Sequence, residues 1–334
     1  MDKLKQKRHQ HARQRYALRQ VRTKAAKLRQ RNPSRKKVRL RASHLKQVIC
    51  PEILDFDQAP EISALFYDNL EKALFGANIN VNVDHRPLKH LSPAAALVLL
   101  AHLYRAHRRR PALQLTANLS TQSNVRDLLG LIGYYKYFNP FDWTPPVNQT
   151  RFFLAHKRGE TVDGSAAKAL CEHFQSSGHF NNPNKLYAAL VEGMANATEW
   201  AYGAKADGYR FWWMIGYRDA DSGEIAYSFY DQGAGIPKTI RGKRFTEFLP
   251  LLAPTDSDLI HQAVIEGRYS RSKQLGRGTG LPVLFDFVQA AEDGELLIFS
   301  TKSRCVFRHA QKAELNDYTI GLRGTLISWS LRPV

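Results

Sequence analysis

Cysteine is scarce in this 334-residue chain: Cys50, Cys171 and Cys305 are its only three, and none forms a C-x-x-C pair. An odd, scattered set argues against a disulfide framework and for a reducing compartment, so a cytoplasmic protein is expected. Long apolar runs are missing as well. The longest greasy stretch, Ala94 to Leu103, is broken by His102 and is far short of the roughly 18 residues that span a bilayer. No membrane segment is expected. The positive start of the chain has no apolar core after it, so no secretory signal is expected either. Acidic residues are nearly absent from the first 46 positions: Asp2 stands against 18 Lys or Arg, a charge of +17 out of +19 for the whole chain. From residue 47 onward the protein is close to neutral.

The basicity therefore belongs to an arm, residues 1–46. Leu18, Val21, Ala25 and Leu28 recur at helical spacing with Arg and Lys around them, and Pro33 ends the pattern. Such an arm can contact the phosphates of RNA or DNA. A solvated tail and a docking arm for an acidic protein surface are the other readings. Tyr16 is its one aromatic, so stacking on bases has little support.

Residues 47–140 read as a small α/β domain. A lead-in punctuated by Pro51 and Pro60 carries an amphipathic helix (Ile62, Leu65, Phe66, Leu70, Leu74) that stops at Gly76. Ile79, Val81 and Val83 alternate with polar residues, which predicts a half-buried strand. Ser92-Pro93 opens a helix as cap and first-turn proline. A strand over 112–119 and a helix from Asn124 complete a βαβα pattern. Asn139-Pro140 through Pro145-Pro146 reads as an extended linker. Residues 151–334 form a second α/β unit, with helices expected over 163–174, 184–202, 256–266 and 281–291. Strands are expected over 151–156, 209–217, 225–230, 296–301, 305–309 and 325–331.

Three motifs stand in order in that second unit. Glu192 and Asn196 lie four apart on the long helix, hence on one face. Asp231-Gln232-Gly233-Ala234-Gly235-Ile236 interrupts an apolar strand with an acid and two glycines, residue types that end strands and permit close approach. Gly276-Arg277-Gly278-Thr279-Gly280-Leu281 enters a helix, where backbone N–H groups can meet an anion. A carboxylate can orient a water, and an amide oxygen is a hard ligand suited to Mg²⁺.

This set resembles the GHKL, or Bergerat-fold, ATP-binding domain shared by DNA gyrase B, a family of heat-shock chaperones, the mismatch-repair protein MutL and the histidine kinases. The resemblance implies an α/β sandwich with helices on one face of a mixed sheet, binding ATP and Mg²⁺. It implies Glu192 as general base, Asn196 as Mg²⁺ ligand and Asp231 as acceptor for the adenine amino group. Gly233 and Gly235 would make room for the base, and Gly276, Arg277, Gly278, Thr279 and Gly280 would meet the phosphates. Gly324-Thr325 resembles the family's last motif, with Thr325 lining the adenine pocket. Arg268, Arg271 and Lys273 could add charge at the γ-phosphate. In its layout alone, 47–140 resembles the STAS domain of anti-sigma-factor antagonists, which implies a protein partner; Ser92 falls near that family's phosphorylated serine. The resemblance leads to an ATPase whose nucleotide state drives a conformational switch, acting with nucleic acid through the arm and open to forming a homodimer. A serine protein kinase like the anti-sigma-factor kinases is the alternative, weakened because Trp200 stands where they carry His. A binding module that uses ATP without hydrolysing it is the other.

Overall fold

The computed structural model describes residues 45–77, 80–139, 152–175, 183–202, 209–219, 225–244, 254–266, 280–291 and 293–331. Residues Leu45–Val334 form one compact unit. Apart from residues 45 and 46, the basic arm lies outside the described residues, as do most of the 139–150 linker and Gly276, Arg277, Gly278 and Thr279.

The first layer is built on parallel strands. β1 (Leu45–Ile49) and β5 (Gln114–Asn118) flank β3 (Asn80–Asp84), both in parallel register with it. A two-residue pair joins β2 (Ile53–Leu54) to β4 (His90–Leu91). Around these lie α1 (Pro60–Phe75), α2 (Pro93–Arg109) and α3 (Ser123–Leu131). Ser92 caps α2, its hydroxyl accepting from Ala95 N at 3.3 Å, and Pro93 occupies the first turn, where a missing N–H costs nothing. The alternation in β3 predicts one wet face, and the register agrees: beside Asn82 and Asp84 the flanking strands place the exposed Gln47, Ile49 and Thr116, while Val81 and Val83 enter the core. Asn82 and Asp84 are themselves buried on this central strand. The polar side chains are tolerated because they find partners. Asn82 donates to Thr116, and Asp84 accepts from Gln47 and Arg86. β1 itself, running across the boundary expected between arm and domain, has no counterpart in the periodicity reading.

The second layer is a five-stranded sheet in the order β6-β7-β8-β10-β9. Its strands are β6 (Phe152–Gly159), β7 (Trp212–Asp219), β8 (Ile225–Asp231), β9 (Glu295–Arg308) and β10 (Glu314–Leu331). Every neighbouring pair is antiparallel, so the expected mixed sheet is corrected. β8 and β9 run the same way, but β10 lies between them and no parallel ladder forms. The three closing strands expected are two long ones, paired as a hairpin with register shifts between Asp317 and Thr325.

Helices cover both faces of this sheet. On one face lie α4 (Gly164–Gln175), α5 (Pro183–Asn196), α7 (Asp256–Glu266) and α8 (Gly280–Gln289), packed on Trp212, Met214, Tyr227, Phe229 and Trp329. The short α6 (Ile236–Arg244) follows the Asp231 loop. The opposite face carries Trp213, Ile215, Tyr230, Phe299 and Leu326 in one core with α1, α2 and the first layer. The helices of 151–334 occupy a single face, as expected. The other face is not open to solvent, because the first layer closes it. All three cysteines are free and buried. Among the described residues, no helix is long and apolar enough to cross a membrane.

Phe56 shows how the layers depend on each other. Its ring stacks on Tyr67 of α1 at 5.4 Å and meets Phe299 of β9 at 5.2 Å. Phe56→Ala should destabilise the protein by about 3–5 kcal/mol. Four of the five tryptophans, Trp200, Trp212, Trp213 and Trp329, lie in the 151–334 segment, so tryptophan fluorescence chiefly reports it. We expect the substitution to move the tryptophan-monitored urea midpoint as a single transition. An unmoved midpoint would mean that the two layers unfold independently.

Candidate functional site

The structure brings the separated motifs together around one end of β8 and α5. Five side chains of α5 and the turn after it (Leu186, Ala189, Leu190, Met194 and Ala197) are buried in the sheet-facing core, which turns Glu192 and Asn196 toward α8. Gly193 lies against Phe229 of β8, so closely that a Cβ there would meet the ring at 3.3 Å. Gly280, the first residue of α8, seats on the same helix. A Cβ at Gly280 would stand 2.9 Å from both Asn196 Nδ2 and Glu192 Oε2. The last glycine of the third motif thus touches the acid and the amide of the first. Among the described residues Asn196 Nδ2 is buried with no hydrogen-bond partner, which in a native fold calls for an explanation. After Asn196 the helix widens into a π turn over Ala197–Ala201, a distortion common at functional sites.

Asp231 ends β8, paired with Trp212 of β7 on one side and Thr325 of β10 on the other. It is 6 % exposed. Burial pushes its carboxyl up to about 7, against the pull of hydrogen bonds from the backbone at Gly233 and Thr325. The Gly233 N–H donates to Asp231 Oδ1 at 2.8 Å.

The glycines of this loop make room for the protein's own chain. A Cβ at Gly233 would lie 2.2 Å from the carbonyl oxygen of Ala201, which accepts from Ala234 N at 2.6 Å. Gly235 has φ +84 and packs against Thr301. Gly324 has φ +86, and a Cβ there would fall 1.9 Å from the carbonyl oxygen of Asp231. The loop is therefore clamped between the π turn and β10.

Several residues that the motifs do not name hold the clamp. The Ser300 hydroxyl accepts from Ile236 N at 2.8 Å and bonds the Thr325 hydroxyl at 2.9 Å. This ties the start of α6 to both strands of the hairpin. Tyr202 accepts from Gln232 N at 3.0 Å and donates to Phe211 O at 2.7 Å. Arg323 Nε donates to Gln232 O at 3.2 Å, and its guanidinium faces Glu71 of α1 at 3.6 Å. Glu71 also accepts from Arg105 at 2.6 Å and faces His102 at 3.5 Å. Burial raises the Glu71 carboxyl, but His102 and the two arginines more than offset it and hold it below the usual range. Tyr202 alone among these was marked by the sequence, as the expected end of the 184–202 helix. Ser300 and Arg323 carry no local signature, because their partners come from distant strands.

Glu192, Asn196, Asp231, Gly233, Gly235, Gly280 and Thr325 thus sit on adjoining elements, while Gly276, Arg277, Gly278, Thr279, Arg268, Arg271 and Lys273 fall outside the described residues. Among the described residues, no cluster of three or more His, Cys, Asp or Glu could hold a metal by itself. One amide and one carboxylate do suit Mg²⁺, which keeps several waters and takes few protein ligands.

Gly324→Ala should cost at least about 1–3 kcal/mol, since it combines positive φ with a backbone clash. Denaturant unfolding of the variant measures this. A loss of a few tenths would show that the loop is not clamped at this point.

Comparison with models of known protein families finds no match, and comparison with curated protein sequences finds none either, so the site is read from its own chemistry.

Proposed function

We propose that this protein binds ATP with Mg²⁺ at the Glu192, Asn196, Asp231 and Gly280 site and hydrolyses it. The observation that carries the reading is the seating of Gly280 on Glu192 and Asn196, on a helix whose Gly193 packs against Phe229 of the strand that ends in the buried Asp231. Chance offers little reason for three motifs dispersed over some 90 residues to adjoin with the glycine against the acid and the amide. A helix N-terminus such as that of α8 suits an anion, because its first N–H groups have no partner within the helix. The orphaned Asn196 amide gains a role when its oxygen turns to a metal. Mg²⁺ supplies neutralisation of phosphate charge. Glu192 takes a proton from the attacking water as its oxygen bonds to the γ-phosphorus. The bond between that phosphorus and the bridging oxygen breaks, and ADP leaves. Asp231 accepts the adenine amino hydrogen; guanine offers a carbonyl there and is rejected.

The direct bonds between the 231–233 loop and Arg323, and from Arg323 to Glu71, support a nucleotide state that reaches the first layer. Through its basic arm the protein acts on nucleic acid.

Glu192→Ala should leave ATP binding intact and slow phosphate release by about 10²-fold or more, while Asn196→Ala should weaken Mg²⁺-dependent binding. Loss of binding in both would sink this division of roles. Asp231→Asn should weaken ATP by about 1.5–3 kcal/mol, the scale of a charged hydrogen bond; calorimetric titration measures it.

The pH dependence has a definite sign. Burial leaves Asp231 with a pKa of about 7 in the free protein. A donor ligand favours the ionised form, so binding expels the proton from any protonated Asp231. ATP affinity should rise as pH is raised through about 7 and then level off, with at most about a tenfold loss per unit below it. Constant affinity from about pH 6 to about 8 would remove Asp231 from the site.

For the arm, fluorescence anisotropy with labelled RNA and DNA should show steep salt dependence, with a log–log slope of about −0.7 to −0.9 per neutralised phosphate. Removal of residues 1–44, which stops short of β1, should abolish most of that binding and spare ATP. Equal binding by the truncated protein would overturn the phosphate-binding role.

A further inference from the structure

The face of the sheet that meets the first layer changes character along its length. Near the nucleotide site it carries Trp213, Ile215, Tyr230, Leu326 and Phe299, which fill the space under α1 and α2. Further along the same face, the residues become small or hydroxylated. Ser228 stands opposite Ser328, and Ala226 opposite Ser330. Glu295 of β9 flanks this patch, opposite Ser330. A half-open cavity of about 440 Å³ lies over it, lined also by the 55–58 turn, the 90–94 segment and the start of α3. This volume falls in the range of small-molecule sites, about 300–1,000 Å³. Four adjoining register positions with short side chains keep it open.

The wall is selective in charge. Among the described residues, its ionisable side chains are Asp55, Asp57, Glu295, His90 and Tyr217, with no Lys or Arg, in a chain that has 49 of them. The cations that balance these acids stand behind the wall: Arg308 donates to Glu295 at 2.6 Å, and Arg304 pairs with Asp57. On the wall itself, His90 meets Asp55 at 3.2 Å. The floor offers hydroxyls, with the buried Ser228 bonded to Ser328 at 2.8 Å. Phe56 adds an aromatic surface.

We propose that this cavity is a second ligand site, taking a small organic cation that carries hydroxyl groups, of the amino-sugar or amino-polyol class. Its ammonium group is matched to the carboxylates Asp57 and Glu295, and its hydroxyls to Ser328 and Ser330. An uncharged polyol lacks the first match. None of these residues belongs to the nucleotide site, so the proposal stands without the ATP reading.

Isothermal calorimetry on the full-length protein tests it, with glucosamine, spermidine and glucose as probes. Glucosamine should bind saturably, and glucose at least about tenfold more weakly. Ala226→Phe, which fills the cavity, should abolish glucosamine binding, and Glu295→Gln should weaken it about tenfold. Should Ala226→Phe fail to fold, Glu295→Gln alone decides. Equal binding of glucose, no saturable heat with either amine at millimolar concentration, or unchanged affinity in Glu295→Gln would overturn the proposal. Spermidine binding more tightly than glucosamine would overturn the hydroxyl part of the ligand class.

Discussion

The burial of the five-stranded sheet on both faces is the constraint on which the rest of this structure depends. An antiparallel sheet with one covered face commonly leaves the other to water. Here the strands carry large apolar side chains on both, Tyr227 and Phe229 toward one core and Trp213 and Tyr230 toward the other. At about 25 cal/mol per Å² of apolar surface, leaving either face wet would forfeit much of the stability of the unit. The first layer is therefore part of the sheet's core as well as a layer with strands of its own.

That packing fixes the candidate site from behind. Asp231 can be 6 % exposed only because β7 and β10 pair with it on either side and the 231–235 loop folds back onto Ala201. Burial then sets its chemistry, raising its carboxyl to about 7 and making it responsive near neutral pH. The same burial makes glycine necessary at Gly324, where the Asp231 carbonyl occupies the position of a Cβ. Side chains from both layers meet at Arg323, which touches the loop through Gln232 and the first layer through Glu71. Two discrete arrangements of such a junction would couple the layers without a long path between them.

The sheet's first-layer face also changes character along its length. Large side chains at one end serve packing, and short hydroxylated ones at the other leave a cavity with an acidic wall. Two of those acids are ion-paired from outside the lining, Asp57 with Arg304 and Glu295 with Arg308.

Much of this was legible in the sequence. The helix over 256–266 and the end of α2 at Arg109 follow from periodicity and capping, which act within a few residues. So do the cap at Ser92 and the four-residue spacing of Glu192 and Asn196, since a helix face is a local property. The order of the three glycine- and acid-bearing motifs was equally visible. Strand direction in the sheet was not, because β8 and β9 run alike and only the insertion of β10 between them decides the pairing. Ser300 and Arg323 gave no signal, since what they do depends on partners 64 and 91 residues away. Short-range chemistry, carried by neighbouring residues, wrote the elements and the motifs into the chain. Which faces are buried, which backbone fills the space beside each glycine and where a cavity remains were decided by contacts between distant segments, and these exist only once the layers have closed.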